Sequence, residues 1–380
     1  MTGETIAWTV LALGVAAQVT SLLAVAWRLA AGRSRPDAAR ITPDIAPGVS
    51  LVVPLCGLEP DLARCLSSVL AQLYRDLEIL FCVADPADPA ATLARRLLSG
   101  HAPARARVLV GDDPVTGNPK LDNLLKGWSA ARGTWVIMAD SNQLLPPDYV
   151  ETVLAAWRPG CGMVSSPAWG GEPRSFAARL EAAFLNTHQA RWQLAADQVG
   201  LGFAQGKTLA FPRAVLDSAG GPAVLGSEIA EDLAATKLVR GMGLSVRLTP
   251  MPFQQPLGVR TWSQVWGRQR RWAHIRRAGF PAIYAAEILT GAALPLAALG
   301  WLVGAGDLPP WLLAALPLAW YGGEWRLARA AGWPSAAADV AAMILRDALM
   351  PALWVQGWTS RAVRWRGTAV TSGARAAAGR

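Results

Sequence analysis

The sequence predicts an α/β domain built on a mostly parallel sheet and flanked by membrane-seeking helices. Three observations carry this reading. Between about residues 50 and 250, short β-branched runs alternate with stretches whose apolar positions recur every three to four residues, the pattern of βαβ units. Long apolar runs lie before and after that window. The 380 residues are also 52% hydrophobic and only 17% charged, with a mean hydropathy of +0.26. Such a composition is too apolar for a disordered chain or an ordinary soluble enzyme.

The net charge of +9 is unevenly placed. Between residues 41 and 255, 18 Lys and Arg face 20 Asp and Glu, whereas the flanks hold 18 basic residues against 7 acidic ones. A basic flank beside apolar runs orients a chain in a bilayer, because Lys and Arg favour the cytoplasmic side. Nucleic-acid binding would put the basic face on the folded domain instead, so it is set aside. The four cysteines, Cys56, Cys65, Cys82 and Cys161, form no C-x-x-C pair and read as free thiols in a reducing compartment.

Residues Ile6 to Ala31 form the first apolar run, long enough to cross a hydrocarbon core that takes about 20 helical residues. Arg28, Arg33, Arg35 and Arg40 follow it, which predicts an uncleaved anchor over 1–34 with its N-terminus outside. After a Pro-containing linker, 35–255 reads as a cytosolic domain. Strands are predicted at Ser50 to Cys56, Glu78 to Asp85, Ala106 to Asp112 and Trp135 to Asp140. Further strands are expected at Met163 to Trp169, Gln205 to Phe211 and Ser245 to Thr249. Helices fill the gaps, notably Glu59 to Leu73, Pro119 to Ala131 and a long one over Phe176 to Asp197.

Beyond Pro256, residues 256–280 mix Trp262, Trp266 and Trp272 with Arg268, Arg270, Arg271, Arg276 and Arg277, as in an amphipathic helix at a membrane surface. Ile283 to Val303 and Pro310 to Tyr321 read as a membrane hairpin. Ala336 to Thr359 carries Arg346, Asp347 and Pro351 in its interior, so within 281–360 this last stretch reads as a re-entrant or interfacial segment, with a spanning one as the alternative. A basic tail, 361–380, follows on the cytoplasmic side. Eleven of the 18 tryptophans fall at or after Trp262, which suits interface anchoring.

The chemistry should sit at the carboxyl ends of parallel strands. Asp85 and Asp140 each close a predicted strand there, although Asp is also a common turn residue. Asp140 with Asn142 could offer hard oxygens to Mg²⁺ or Mn²⁺ that neutralises a diphosphate leaving group. Glu231 and Asp232 open a helical stretch, where acids favour the helix dipole; the functional alternative makes Asp232 a general base. In R-Q-R-R-W, Arg271 suits bidentate phosphate contact and Trp272 offers a flat wall, although surface anchoring alone explains an Arg/Trp helix. Only four lysines stand against 32 arginines. One of them, Lys120, lies at a helix start where it opposes the dipole, so a nearby anion is expected.

Taken in order, PGVSLVVPLCGLEPDL, EILFCVADPADPA, GNPKLDNL, ADSN, IAEDLAATK and RQRRW resemble the ceramide glucosyltransferase family, glycosyltransferase family 21, over nearly the whole chain. That resemblance implies a GT-A fold on the cytoplasmic face of a membrane, here a bacterial inner membrane. It implies inverting transfer of glucose from UDP-glucose to the primary hydroxyl of ceramide, with a divalent cation. By analogy Asp85 contacts the uridine side, Asp140 binds the metal and Asp232 deprotonates the lipid hydroxyl. Arg271 and Trp272 hold the pyrophosphate and the acceptor-sugar site, Asn118 and Lys120 line the nucleotide site, and His188 lies near the acceptor pocket. Glu231, and Arg268 at the head of the R-x-x-R-W motif, complete the substrate-binding set.

A single in-line displacement needs one base and a stabilised leaving group, which agrees with this inventory. Three alternatives stay open. The acceptor could be a hopanoid polyol, with UDP-N-acetylglucosamine as donor. A polysaccharide synthase would need more spans than these apolar segments supply. An inactive nucleotide-sugar or lipid-binding membrane module would release no UDP.

Overall fold

Seven of the β-branched runs pair into one sheet in the computed structural model, which describes residues 2–33, 47–100, 105–111, 113–359, 362–365 and 368–371. Most of the linker after the first helix, Asp112 and most of the basic tail lie outside these residues. The chain starts with α1 (Gly3–Arg33), then runs β1 (Val49–Leu55), α2 (Leu62–Leu70), β2 (Leu77–Val83), α3 (Pro89–Leu98) and β3 (Ala106–Val110). It continues through α4 (Pro119–Ala130), β4 (Trp135–Ala139), α5 (Tyr149–Ala155), β5 (Cys161–Ser165), β6 (Ala168–Pro173), α6 (Phe176–Ala183) and α7 (Arg191–Gln198). Next come β7 (Thr208–Pro212), α8 (Arg213–Ser218), α9 (Glu231–Gly241), β8 (Ser245–Leu248) and β9 (Phe253–Gly258). Helices α10 (Trp262–Gly279), α11 (Pro281–Glu287), α12 (Ala293–Ala305), α13 (Leu312–Ala331) and α14 (Ala337–Thr359) follow.

The sheet order is β3-β2-β1-β4-β7-β5-β8. Strands β1 to β4 are mutually parallel, and β7 runs antiparallel between β4 and β5. This mixed, mainly parallel arrangement is GT-A-like. Both faces are covered, which explains why β1 reads as an unbroken apolar run rather than an alternating one. Leu51 and Val53 pack with Leu66 of α2 on one face, while Val52 meets Leu121, Leu124 and Trp128 of α4 on the other. Gly127 permits that approach, because a methyl there would fall 2.2 Å from Val52 Cγ1.

The chain divides into two compact units. One contains the sheet and takes in Gly32–Ala168 and Ala196–Pro256. The other gathers Met1–Ala31, Trp169–Ala195 and Leu257–Gly373. The sequence treats 35–255 as one domain, whereas Trp169–Ala195 groups with the terminal helices. The long helix expected over Phe176 to Asp197 is interrupted by a π-helical stretch, Phe184–Ala190, between α6 and α7.

In the helical unit, α1 supplies a segment, Gly3–Ala31, long and apolar enough to cross a membrane. Helix α12 and the short segment Pro281–Thr290 before it pass the same test only as a pair, bent by 53°. The bend falls before α12, and the stretch read as re-entrant, interfacial or spanning forms one continuous helix, α14, with Pro351 inside it. Its charges are paired: Arg346 Nη2 donates to Glu324 of α13 at 3.0 and 3.2 Å, and Arg346 Nε to Asp347 at 2.8 Å. Helix α10 begins with a reciprocal cap between Thr261 and Gln264. Val265 on it packs with Leu180 and Phe184, and with Met350 and Leu353 of α14, so part of the Trp/Arg helix is committed to protein contacts.

Candidate active site

Because β1, β2 and β4 are parallel, Asp85 and Asp140 leave the same carboxyl edge of the sheet. Their surroundings differ. Asp85 is exposed, and its Oδ1 accepts a hydrogen bond from Ala87 N at 2.8 Å, a local turn. Asp140 is drawn inwards. Its Oδ1 lies 2.6 Å from Lys120 Nζ and its Oδ2 lies 2.9 Å from Lys207 Nζ.

Lys120 joins Asp140 to the start of α9. Its Nζ also lies 2.6 Å from Glu231 Oε1 and donates to Gly206 O at 2.9 Å. Gly206 N in turn donates to Asp232 Oδ2 at 2.8 Å. Asn118, the N-cap of α4, accepts from the amides of Lys120 and Leu121 and donates through Nδ2 to Glu231 Oε2 at 3.4 Å. Of the expected site residues, Asn118, Lys120, Asp140, Glu231 and Asp232 therefore form one connected group.

Charge balance sets the protonation states. Burial alone would raise the Asp140 pKa, but Lys120 and Lys207 outweigh it and hold the carboxyl well below its usual range. Burial would likewise favour neutral Lys120, yet Asp140 and Glu231 keep it charged. Among the described residues no ammonium group pairs directly with Asp232. Burial, then the neighbouring Glu231, push its pKa up to about 6, close to that of a useful general base.

The metal expectation can be tested on donor chemistry. Asp140 supplies an ionised carboxylate and Asn142 an amide oxygen, hard donors of the kind Mg²⁺ or Mn²⁺ takes. Both Asp140 oxygens face lysine, and Asn142 Oδ1 accepts from Lys207 Nζ at 2.7 Å. Among the described residues no group of three or more His, Cys, Asp or Glu could hold a metal. These residues thus fit a divalent ion as a partial shell, with phosphate oxygens and water as the remaining ligands.

Two members of the group were not singled out in the sequence as site residues. Lys207 precedes β7 and reaches Asp140 because β7 pairs with β4, Ala139 opposite Thr208, with Asp140 N bonded to Lys207 O at 3.0 Å. Gly206 is a close approach: a Cβ there would lie 2.9 Å from Glu231 Oε1 and 3.4 Å from Asp232 Oδ2. The available signal was the scarcity of lysine, together with a glycine directly before one of the four.

The remaining expected residues belong to the helical unit. Arg268 is ion-paired with buried Glu181 of α6, and its guanidinium lies 5.9 Å from the Trp272 ring centroid. Trp272 packs against Ala178, Ala182, Leu185 and Leu257. Arg271 is half-buried on α10. His188 lies in the π-helical stretch, its Nε2 3.0 Å from Thr290 Oγ1. Burial, then Arg346, Arg191 and Arg276, hold it well below its usual pKa and therefore neutral.

Comparison with known proteins places the chain among glycosyltransferases. Ceramide glucosyltransferase 1 of Caenorhabditis elegans is 28% identical over 254 residues, 66% of this chain and 54% of that protein. The ceramide glucosyltransferase of Candida albicans is 34% identical over 111 residues, 26% of this chain and 20% of the relative. The chain spans about half the length, or less, of the curated relatives it matches. Among solved structures, the mannosyltransferase PcManGT of Pyrobaculum calidifontis, in complex with GDP-Man and Mn²⁺, is 19% identical. It matches 89% of this chain and 99% of its own at a TM-score of 0.48. The model of glycosyl transferase family 21 matches residues 7–376, and the chain belongs to that family.

Proposed function

We propose that the protein is a membrane-bound inverting glycosyltransferase that moves glucose from UDP-glucose to the primary hydroxyl of ceramide. The observation that carries this reading is the connected group at the carboxyl edge of the sheet. A carboxylate poised near pH 6, Asp232, lies within one hydrogen-bond chain of two ammonium groups, Lys120 and Lys207, gathered on Asp140. Family membership and the ceramide glucosyltransferase relatives support the class of reaction.

In this scheme Asp232 takes the proton of the acceptor hydroxyl as its oxygen attacks the anomeric carbon. The bond from that carbon to the β-phosphate oxygen breaks, and UDP departs with the electron pair. Configuration inverts because there is one displacement and no covalent nucleophile. Lys120 and Lys207 place positive charge beside the developing phosphate charge. Asn118 orients the nucleotide side, and Asp85 is assigned to the uridine side. Bound with the donor by Asp140, a divalent cation would supply further neutralisation of the leaving group. With α1 spanning, the catalytic domain lies on the cytoplasmic face of a bacterial inner membrane, where a ceramide can stay anchored by its chains.

Full-length protein in lipid nanodiscs, given UDP-glucose and ceramide, should release UDP and form glucosylceramide of inverted configuration. Release only with UDP-N-acetylglucosamine and a hopanoid polyol would transfer the assignment to that acceptor class. No UDP release with any pair would leave a binding module.

A further inference from the structure

Of the four lysines, Lys120 and Lys207 belong to the candidate active site. A third, Lys126, reaches the same edge of the sheet from two turns inside α4, within the sheet unit. The helix starts at that edge and runs away from it, but helical side chains lean back towards the helix N-terminus, so a long stem can return. Gly127 brings the helix close enough for this. A Cβ there would lie 2.2 Å from Val52 Cγ1 of β1 and 2.8 Å from Cys82 Sγ of β2.

The ammonium group of Lys126 meets three oxygens. Its Nζ donates to the O of Val83, the last residue of β2, at 2.6 Å, to the O of Gly111, directly after β3, at 2.5 Å, and to Asn123 Oδ1 at 2.9 Å. Because an ammonium group can only donate, it fixes the buried Asn123 amide with its oxygen towards Lys126. Asn123 Nδ2 is then left to donate to the O of Leu55, the last residue of β1, at 3.3 Å. Gly111 N also donates to Val83 O at 3.1 Å, and Gly111 leaves β3 at φ +134°, a backbone conformation open to glycine. One side chain thus ties the carboxyl ends of three neighbouring parallel strands, two directly and the third through Asn123.

The segments that leave those ends carry the polar groups of the edge. After β1 comes Glu59, whose Oε2 accepts from Asn142 Nδ2 at 2.9 Å; after β2 comes Asp85; after β3 comes Asn118, which caps α4 and donates to Glu231. Ligands of open α/β sheets lie outside the carboxyl ends of the strands. We infer that Lys126 is a positioning residue for the donor, fixing the three loops against which the nucleotide half of a UDP-sugar lies while its phosphates meet Lys120. The three protons of Lys126 are matched by three protein oxygens, so it orders this surface instead of touching the phosphates. The inference rests on the transferase reading for its ligand and adds the residue that shapes the nucleotide's seat.

The test replaces Lys126 by methionine, which keeps an apolar stem and leaves the three oxygens without this donor. In full-length protein in nanodiscs, Lys126→Met should weaken UDP binding by calorimetry about tenfold, the size of one lost hydrogen bond to a charged group. KM for UDP-glucose should rise by the same factor, while kcat and KM for ceramide stay close to those of the parent. Amide exchange over residues 84–88 and 113–117 should quicken in the free variant and slow again with saturating UDP, a readout that needs no turnover. Lys126→Arg keeps a cationic donor and should recover part of the affinity. Asn123→Ala loosens chiefly β1 and should shift the affinity in the same direction by less, which keeps the test open where the methionine variant does not fold. A fall in Tm with UDP affinity and KM unchanged would make Lys126 a fastener of the fold alone and overturn the inference. A fall in kcat at unchanged UDP affinity would put it at the reacting atoms and overturn it as well. If the parent binds UDP but transfers no sugar to any lipid, the transferase reading falls, while the affinity difference between parent and variant still decides the role of Lys126.

Discussion

Asp232 carries opposing demands in one carboxyl group. Burial and Glu231 push its pKa up to about 6, whereas the proposed chemistry needs it ionised. Turnover should therefore be low in acid, rise with an apparent midpoint near pH 6 and level off above it, as a pH–rate profile would read. A midpoint near the ordinary carboxylate value of about 4 would remove Asp232 from the role of base. The folded state binds this proton more tightly than the unfolded chain does, so the group's contribution to stability is fully present below the ordinary carboxylate value of about 4 and is lost as pH rises through about 6. Asp232→Asn keeps an acceptor for Gly206 N and removes that loss. It should cut turnover about 10² to 10⁴-fold, keep UDP binding by calorimetry, and melt no lower than the parent at pH 8. Equal loss of binding and turnover would make the residue structural. At this scale the sequence was informative about Asp140, Lys120 and Asp232, since strand ends and first helical turns are local features. For Asp85 it left a turn reading open, and the carboxylate closes on Ala87 in an exposed turn. Whether a strand-end acid faces solvent or lysine depends on distant chain.

Elements join these residues through pairing that no local pattern reveals. Lys207 reaches Asp140 only because β7 inserts antiparallel between β4 and β5 in one register, across a loop of the chain nearly 70 residues long. The helical unit shows the same dependence. Arg346 and Asp347, which made α14 look unfit to be a continuous apolar helix, are paired with each other, with Glu324 of α13 and with Thr187. Arg346 Nη1 also donates to Ala183 O where the π-helical stretch begins, so α14 helps hold the turn that carries His188. Gln18 of α1 reaches the same group through Arg191 and Glu324. Arg346→Met would leave Glu324 and Asp347 short of a buried cation. Removing one partner of such a set costs roughly 3 to 5 kcal/mol, visible as a large fall in Tm. An unchanged Tm would mean that the network contributes little.

Across the whole molecule, the metal question concerns how the sites are loaded. Both Asp140 oxygens face lysine, so a divalent ion held there with donor phosphate would have to displace Lys120 and Lys207. Removing divalent ions with a chelator should stop sugar transfer, with Mg²⁺ or Mn²⁺ restoring it, while Tm without donor stays constant because ammonium groups already balance Asp140. Full turnover in chelator would take Asp140 out of metal binding and leave the lysines to neutralise UDP. The sequence by itself determined the α/β class, an apolar segment long enough to span, the order of strands and helices, and most acids of the candidate group. Those follow from periodicity, side-chain polarity and position at the ends of elements, all properties of neighbouring residues. Only the tertiary structure decided that Trp169–Ala195 leaves the sheet unit, that Gly206 and Lys207 complete the acidic group, and that Lys126 gathers the ends of three strands. Each of these depends on which distant segments share a place, and burial and Coulomb forces act on that proximity rather than on sequence spacing.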